Sequence, residues 1–212
     1  MITRLLIARH GNTFGPGDVV TRVGLTDLPL VDSGLEQGRL LGRYLKQQKM
    51  IPDVIFTSHL KRTQQTAQAA QKEMGTALAC QTLAVFNEID YGPDENKPED
   101  AVIARLGKAA LEAWDAEGIV PEGWRVDPAA IIARWKDFGG DILKNHPGKT
   151  VMVVTSNGIA RFAPHLTGDF NAFRQKHAIK LSTGAVSVFE NSGSSVWSCT
   201  YWNISPKKAL II

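Results

Sequence analysis

An arginine and a histidine follow each other at the end of an apolar segment near the start of the chain. Residues 3–8 predict a short buried β-strand, and Gly11 ends it at a sharp turn. Arg9 and His10 therefore lie at the carboxyl end of a strand, where open α/β sheets build their sites. A guanidinium binds phosphate oxygens through its planar fork of donors, and a neutral imidazole nitrogen can attack phosphorus. The pair predicts a nucleophilic histidine beside a phosphoryl group.

A further arginine falls near the start of a helix. Residues 53–57 predict a strand, Ser58 predicts a helix N-cap, and the next residues predict a helix over 59–74. Arg62 then lies near the positive end of the helix dipole, where an anion is favoured. We expect Arg62 to bind the same phosphoryl group, with a solvated arginine on the helix surface as the alternative.

Taken together, these segments resemble the histidine phosphatase superfamily, which includes cofactor-dependent phosphoglycerate mutases and many phosphomonoesterases. The matching pieces occur in the family's order and are Arg9-His10-Gly11, residues 25–30 with Gly34 and Gln37, Ser58 with Leu60, Arg62, Gln65 and Thr66-Ala67, Asn87-Glu88 with Tyr91-Gly92, and a strand over 151–155. The resemblance implies that His10 is phosphorylated and then discharged to water or to an acceptor. It implies that Arg9 and Arg62 hold the phosphoryl group, and it implies neither a metal nor a cofactor.

The proton donor to the leaving oxygen is expected to be a carboxylic acid. Glu88 matches the family's usual donor, follows a predicted strand over 80–85 and precedes a Gly-Pro turn. Asp90 and Glu95 are the alternatives, and a solvated loop position is the simpler interpretation of each.

The chain departs from the family pattern at Asn157. The resemblance implies a second active-site histidine just before the glycine that is Gly158 here. Asparagine keeps a hydrogen-bond donor but never carries a positive charge. Removing one oxyanion donor costs on the order of 10² to 10³ in rate, so we expect attenuated rather than abolished activity. A natural variant and an engineered substitution both fit this pattern.

Several neighbouring residues complete the predicted site. Asn12, Thr13 and Gly158 are further predicted phosphate contacts, and Arg22, in the loop after the Arg-His turn, is a predicted substrate contact. Among the other histidines, His59 is the alternative replacement for a second active-site histidine, although a polar position in the first helical turn is the simpler interpretation. His165 lies eight residues after Asn157, about 12 Å along a helix, which is too far to replace it.

The order of predicted elements indicates the fold. Strands near 3–8, 53–57, 80–85 and 151–155 alternate with helices near 34–48, 59–74, 128–145 and 158–165, and residues 185–190 and 195–202 predict a hairpin. Such alternation predicts a three-layer α/β sandwich with a mainly parallel sheet between helices. Ser33 with Glu36 predicts a capping box, and Asp127-Pro128 predicts a helix start.

The 212 residues are expected to form one domain. Of all segments of the chain, residues 91–127 least resemble a connection between strands of the sheet. They contain one predicted helix over 99–117. In the family, an insertion here covers the phosphate pocket and selects the substrate. Trp114 and Trp124 are expected either to line this cover or, more commonly for tryptophan, to pack in the core.

Composition excludes several classes of protein. A net charge of +3 without a Lys/Arg run longer than two argues against nucleic-acid binding. No apolar stretch approaches the length of a membrane span, and no signal-peptide pattern is present, so a cytoplasmic protein is expected. Cys80 and Cys199 are expected to be buried free thiols outside any metal-binding cluster.

These observations predict a phosphomonoester hydrolase acting on a small phosphorylated metabolite, with a phosphoprotein substrate as an alternative. A catalytically impaired protein that binds phosphorylated ligands is the competing hypothesis, and phosphoglycerate mutase is a further alternative. Mutases of the family carry paired arginines in the insertion, whereas Lys97, Arg105 and Arg125 are isolated here. We therefore favour a phosphatase.

Overall fold

The computed structural model describes residues 1–210, in which six strands form one sheet. The strands are β1 Thr3–Arg9, β2 Val54–Thr57, β3 Cys80–Thr82, β4 Thr150–Thr155, β5 Val186–Asn191 and β6 Ser198–Ile204, in the spatial order β3-β2-β4-β1-β5-β6. The first four in this order are parallel, and β5 and β6 are antiparallel to their neighbours. The predicted mainly parallel sheet and the terminal hairpin are thus confirmed.

Helices cover both faces of the sheet, which confirms the three-layer α/β sandwich. They are α1 Asp32–Gln47, α2 Lys61–Met74, α3 Glu99–Leu106, α4 Lys108–Glu117, α5 Pro128–Asn145, α6 Asn157–Ala160, α7 Phe170–Lys176 and α8 Pro206–Ala209, with 3₁₀ turns at Ala84–Phe86, Gly92–Asp94 and Ala163–Thr167. Side chains of one strand alternate between two cores. In β1, Leu5 and Ile7 pack into one core, and Leu6 and Ala8 pack into the other.

Three predicted elements end earlier than the sequence indicates. The helix expected over 99–117 is divided at Gly107, whose φ of 79° is outside the helical region, so α3 and α4 are separate. The helix expected over 158–165 is the short α6 followed by a 3₁₀ turn containing Pro164, which has no N–H to donate. The strand expected over 80–85 ends at Thr82, and a 3₁₀ turn follows.

The helix caps agree with the sequence only in part. Asp127 accepts a hydrogen bond from the Ala130 N–H at 3.0 Å and caps α5 as predicted. The capping box predicted at Ser33 is wrong, because α1 already begins at Asp32 and its N-cap is Val31. Ser58 is not the N-cap of α2, although its Oγ accepts the Leu60 N–H at 3.1 Å in the turn before that helix.

Two features are absent from residues 1–210. Within them, no helix is both long and apolar enough to cross a membrane. Nor does this range contain a cluster of three or more His, Cys, Asp or Glu side chains that would hold a metal ion. Both cysteines are free, as expected, but both are only partly buried.

Candidate active site

The carboxyl ends of three neighbouring parallel strands meet at one edge of the sheet. His10 follows β1, Asn157 follows β4, and Arg62 lies in the first turn of the helix after β2. Because β5 runs antiparallel to β1, the segment before it, including Leu181, arrives at the same edge. Sheet order and strand direction therefore bring together residues that are far apart in the chain.

These residues line a cleft of ≈ 570 Å³. Of the residues predicted to form the site, Arg9, His10, Asn12, Thr13, Arg22, Arg62, Glu88 and Asn157 line this cleft. Trp114, which the sequence predicts either in the cover or in the core, also lines the cleft. Further lining residues that the sequence does not assign to catalysis or binding are Phe14, Val20, Thr21, Val23, Tyr91, Glu99, Asp115, Arg161, Lys180 and Thr183.

His10 is held in one orientation by its own neighbour. Its Nδ1 lies 2.7 Å from the Gly11 carbonyl oxygen, and since a carbonyl only accepts, Nδ1 carries the proton. Burial, together with the positive charges of Arg9 and Arg62, holds the pKa of His10 well below its ordinary value. The ring is therefore neutral near pH 7, and its Nε2 carries a free lone pair.

The two predicted phosphate-binding arginines are anchored by backbone carbonyls. Arg9 Nη1 donates to the Leu181 oxygen at 2.8 Å, whereas its buried Nε has no hydrogen-bond partner in the described part of the chain. Arg62 is 1% exposed and donates to the Thr26 and Gly24 oxygens at 2.8 and 2.6 Å. Burial lowers the pKa of both guanidinium groups, while the charge of Glu88 opposes this shift. Both forks are fixed beside the cleft.

The amide of Asn157 is oriented by the backbone before β5. The Leu181 N–H donates to Asn157 Oδ1 at 2.8 Å, which identifies this atom as the oxygen of the amide. The NH₂ group therefore remains as the donor of a side chain that lines the cleft. Position 157 supplies a neutral donor at the carboxyl end of β4.

Glu88 is fixed by two backbone donors. Its Oε1 accepts the Ile89 N–H at 3.0 Å, and its Oε2 accepts the Gly158 N–H at 3.2 Å. The expected phosphate contact of Gly158 is therefore replaced by a contact with Glu88, and Gly158 does not line the cleft. A Cβ at this position would lie 2.4 Å from Glu88 Oε1, so only glycine permits this approach. Gly158 positions the carboxyl group.

The structure separates Glu88 from its competitors. The carboxylate of Glu95 accepts the N–H groups of Gly24 and Thr26, and that of Asp90 accepts the Gly92 N–H. Neither of these two carboxylates lines the cleft, whereas Glu88 does. Of the three candidates for the proton donor, Glu88 is therefore the one carried into the proposal below.

The histidines considered as replacements lie elsewhere. His59 is exposed and does not line the cleft, and its backbone N–H donates to Asn87 Oδ1 at 2.9 Å. His165 is stacked on Phe170, with ring centroids 3.9 Å apart, and is also outside the cleft. Neither replaces Asn157.

Arg22 lies at the side of the cleft formed by α3. Its guanidinium forms an ion pair with Glu99 at 2.5 Å and lies over the rings of Tyr91 and Trp124, 5.5 and 5.1 Å from their centroids. Trp124 is buried and does not line the cleft. The tertiary structure thus places Arg22 at the cleft with its charge already partly balanced.

A second cationic cluster was not found from the sequence. Arg161 is 1% exposed, its Cζ lies 3.9 Å from the centroid of the Trp114 ring, and its Nη1 donates to the Trp114 carbonyl. Asp115 forms ion pairs with Arg161 at 3.4 Å and with Lys180 at 2.9 Å. The sequence does contain one signal for Arg161: it follows Asn157 by four residues, about one helical turn, and this spacing would have placed it near the cleft.

The histidine phosphatase superfamily (branch 1) model matches residues 5–205 of the chain. A 2,3-bisphosphoglycerate-dependent phosphoglycerate mutase of Methylorubrum populi is 35% identical over 119 residues, which cover 55% of each chain. Phosphoglycerate mutase 1 of Saccharomyces cerevisiae is 26% identical over 217 residues, covering 88% of this chain and 86% of the yeast protein. The chain spans about half the length of the first of these curated relatives, 55%.

Solved structures agree in fold. A mycobacterial glucosyl-3-phosphoglycerate phosphatase superposes with a TM-score of 0.77 at 19% identity, covering 97% of this chain and all of the other (100%). At this identity the likeness concerns the fold alone. The family model, by contrast, matches nearly the whole sequence, and this match shows that the protein belongs to the histidine phosphatase superfamily.

Proposed function

We propose that the protein is a phosphomonoester hydrolase in which His10 carries the phosphoryl group from the substrate to water. The observation that carries this proposal is the hydrogen bond from Nδ1 of His10 to the Gly11 oxygen. It leaves Nε2 as the nucleophilic nitrogen of a neutral ring in a cleft that Arg9 and Arg62 also line. A small phosphorylated metabolite is the proposed substrate.

In the first step, His10 Nε2 forms a bond to phosphorus as the bond between phosphorus and the leaving oxygen breaks. The protonated carboxyl group of Glu88 gives its proton to that oxygen. Arg9, Arg62 and the NH₂ group of Asn157 donate hydrogen bonds to the remaining phosphoryl oxygens. The products of this step are an alcohol and phosphorylated His10.

In the second step, water attacks the phosphorus of phosphorylated His10. The Glu88 carboxylate accepts one proton from this water, the bond between nitrogen and phosphorus breaks, and inorganic phosphate leaves. His10 is again neutral and Glu88 is again protonated, so both groups are ready for another turnover. Residues 91–127 cover the cleft in this proposal, since Tyr91, Glu99, Trp114 and Asp115 line it from that segment.

The amide at position 157 attenuates the reaction in this proposal. Asn157 stands where the family resemblance implies a second histidine, and it supplies a donor without positive charge. A catalytically impaired protein that binds phosphorylated ligands is the competing function. The orientation of Glu88 by two backbone N–H groups favours the enzyme, because a binding protein has no use for a fixed proton donor.

Phosphoglycerate mutase is a second candidate, favoured by the names of the curated relatives. It requires a carboxylated substrate to be held in two orientations. Arg105 and Arg125, the arginines of the segment that covers the cleft, are paired with Asp94 and Asp90 and do not line the cleft. This arrangement supports a phosphatase instead.

The test is a phosphatase assay in the presence of a chelator on an aryl phosphate and a panel of metabolite phosphates. The protein is compared with His10→Ala, Asn157→His and the control His59→Ala, which alters an exposed histidine outside the cleft. We expect turnover that is lost in His10→Ala, retained in His59→Ala and increased in Asn157→His. Full activity of His10→Ala contradicts the mechanism, and binding without turnover supports the competing function.

A further inference from the structure

The charges that line the cleft attract an anionic ligand. Five cationic side chains line it, and three carboxylates accompany them. They are Arg9, Arg22, Arg62, Arg161 and Lys180, and Glu88, Glu99 and Asp115. With His10 neutral and Glu88 protonated, as the first step of the proposed reaction requires, the cleft has an excess of three positive charges, which attracts a phosphomonoester dianion.

Two of these carboxylates also line a second depression on the surface. It lies between α3 and α4, has a volume of ≈ 530 Å³ and includes Glu99 and Asp115 among its lining residues. We name it the α3/α4 groove; its other lining residues are Ile103, Lys108, Leu111, Glu112 and Ala116. Because Glu99 and Asp115 line both spaces, the α3/α4 groove adjoins the cleft at these two residues.

The two spaces differ in chemistry. Arg22 and Lys180, on the cleft side, form ion pairs with Glu99 and Asp115 at 2.5 and 2.9 Å. The α3/α4 groove contains three carboxylates and one cation, Lys108, beside apolar side chains. An anionic group is therefore attracted to the cleft and repelled from the α3/α4 groove.

We propose that the α3/α4 groove binds the distal part of the substrate's leaving group, and that this part is apolar and either uncharged or positively charged. The substrate class is thus an amphipathic phosphomonoester whose distal part carries no anionic group. This inference rests on the proposed phosphatase function. The phosphoryl group lies beside His10, the chain of the leaving group passes Glu99 and Asp115, and its apolar portion contacts Ile103, Leu111 and Ala116.

A series of synthetic substrates tests the length of the site. Ethyl, butyl, hexyl and octyl phosphate present the same phosphoryl group with leaving groups of increasing apolar length. We expect kcat/KM to rise by about twofold to fourfold per methylene group that enters the α3/α4 groove. Hexyl phosphate with a terminal ammonium group is expected to equal or exceed hexyl phosphate, and the compound with a terminal carboxylate is expected to fall below it by about tenfold.

Two variants of α4 localise the effect. Ala116 is exposed and lines the α3/α4 groove, so Ala116→Trp is expected to fill it and remove the dependence on chain length. Ala109→Trp places the same residue at an exposed position of α4 outside the groove and is the matched control. Glu112→Lys is expected to reverse the preference between terminal ammonium and carboxylate, whereas Asp141→Lys, exposed on α5, changes the net charge equally and is expected to keep it.

The outcomes separate this inference from the proposed function. If ethyl phosphate is hydrolysed in a reaction that depends on His10, but kcat/KM is equal along the whole series, the inference is overturned and the proposed phosphatase function stands. A dependence on chain length that survives in Ala116→Trp also overturns it, as does a higher kcat/KM for the terminal carboxylate in the unmodified protein. If no phosphomonoester is hydrolysed, the proposed function fails, and the inference that rests on it fails too.

Discussion

The two sides of the cleft hold their functional groups by different interactions. On the phosphoryl side, which we define as Arg9, His10, Arg62, Glu88 and Asn157, every one of these side chains forms a hydrogen bond with a backbone group. His10 bonds to the Gly11 oxygen, Arg62 to the oxygens of two loop residues, and Asn157 Oδ1 to the Leu181 N–H.

On the α3/α4 side, which we define as Arg22, Glu99, Asp115 and Lys180, the corresponding partners are other charged side chains. Arg22 is held by Glu99, whose side chain is 57% exposed, and Lys180 is held by Asp115, whose side chain is 45% exposed. Exposed ion pairs contribute little to stability and are screened by salt. A ligand or a single substitution replaces such a partner with little cost.

This difference assigns separate tasks to the two sides. Backbone partners remain in place whatever the side chains nearby, so the phosphoryl side is preorganised for one reaction. The exchangeable ion pairs of the α3/α4 side suit the selection of leaving groups. Substitutions on the phosphoryl side are therefore expected to change the rate of chemistry, and those on the α3/α4 side are expected to change substrate preference.

The largest expected difference is between two arginines. Arg62→Ala removes a buried fork beside the proposed phosphoryl position, and kcat/KM is expected to fall by about 10³-fold. Arg22→Ala removes a cation already paired with Glu99, and the loss is expected to stay below about tenfold. Steady-state kinetics on hexyl phosphate measure both, with thermal unfolding as the control for folding. Equal losses contradict the division between the two sides.

The next effect concerns the position of the proton donor. In Gly158→Ala, the new Cβ lies 2.4 Å from Glu88 Oε1 and 2.8 Å from the Ile89 side chain unless they move. We expect kcat to fall by about 10²-fold with little change in KM, because in the proposed mechanism Glu88 acts in the chemical step.

Gly140→Ala is the matched control for this glycine. It lies in α5, where an added Cβ has no neighbour within 4 Å. The helix is expected to gain up to about 1 kcal/mol of stability from this substitution, and activity is expected to stay unchanged. A Gly158→Ala variant with unaltered kcat shows that Glu88 is not positioned by this contact.

A smaller effect appears in the pH dependence of stability. Burial and the charges of Arg9 and Arg62 lower the pKa of His10 in the native state. Below about pH 6.5 the unfolded chain binds a proton at this histidine and the native state does not, so the free energy of unfolding falls as pH falls.

Chemical denaturation between pH 7.5 and 5.5 measures this dependence in the unsubstituted protein and in His10→Gln. As the pH falls, the free energy of unfolding of the unsubstituted protein is expected to decrease more steeply than that of the variant, by up to about 1.4 kcal/mol per pH unit. Burial also lowers the pKa of His165, but this group is common to both proteins. Parallel slopes show that His10 is as easily protonated in the native state as in the unfolded chain.

The smallest expected change concerns Glu99→Gln. The substitution frees Arg22 from its ion pair and leaves the phosphoryl side intact. For the carboxylate-terminated hexyl phosphate, KM is expected to fall by about threefold at low salt and to return at 0.5 M salt. A change in kcat of similar size for ethyl phosphate, which does not reach the α3/α4 side, argues against the separation of tasks.

The sequence predicts the residues of the phosphoryl side better than those of the α3/α4 side. Arg9, His10 and Asn157 each lie within two residues of a strand end, so the alternation of strands and helices is enough to bring them together. By comparison, Asp115 and Lys180 belong to a separate helix and a loop, and their contact depends on how α4 packs. Sequence spacing does not encode such packing.

Local structure shows a similar limit. Gly107 separates α3 from α4, yet a glycine within a helical pattern is often tolerated, so the pattern favoured one helix. The N-cap of α1 is Val31, whose side chain cannot accept a hydrogen bond, so no sequence pattern marks the start of this helix at Asp32. The predicted helix over 128–145 was accurate because Asp127 and Pro128 mark its start with two independent signals.

The most direct test of the central claim is the detection of phosphorylated His10. The protein is mixed with a ³²P-labelled alkyl phosphate during turnover, denatured at alkaline pH, where the bond between phosphorus and nitrogen survives, and cleaved into peptides. We predict label on the peptide that contains His10, none in His10→Ala, and unchanged labelling in the control His59→Ala. Turnover that continues without label on His10, or that persists in His10→Ala, contradicts the account.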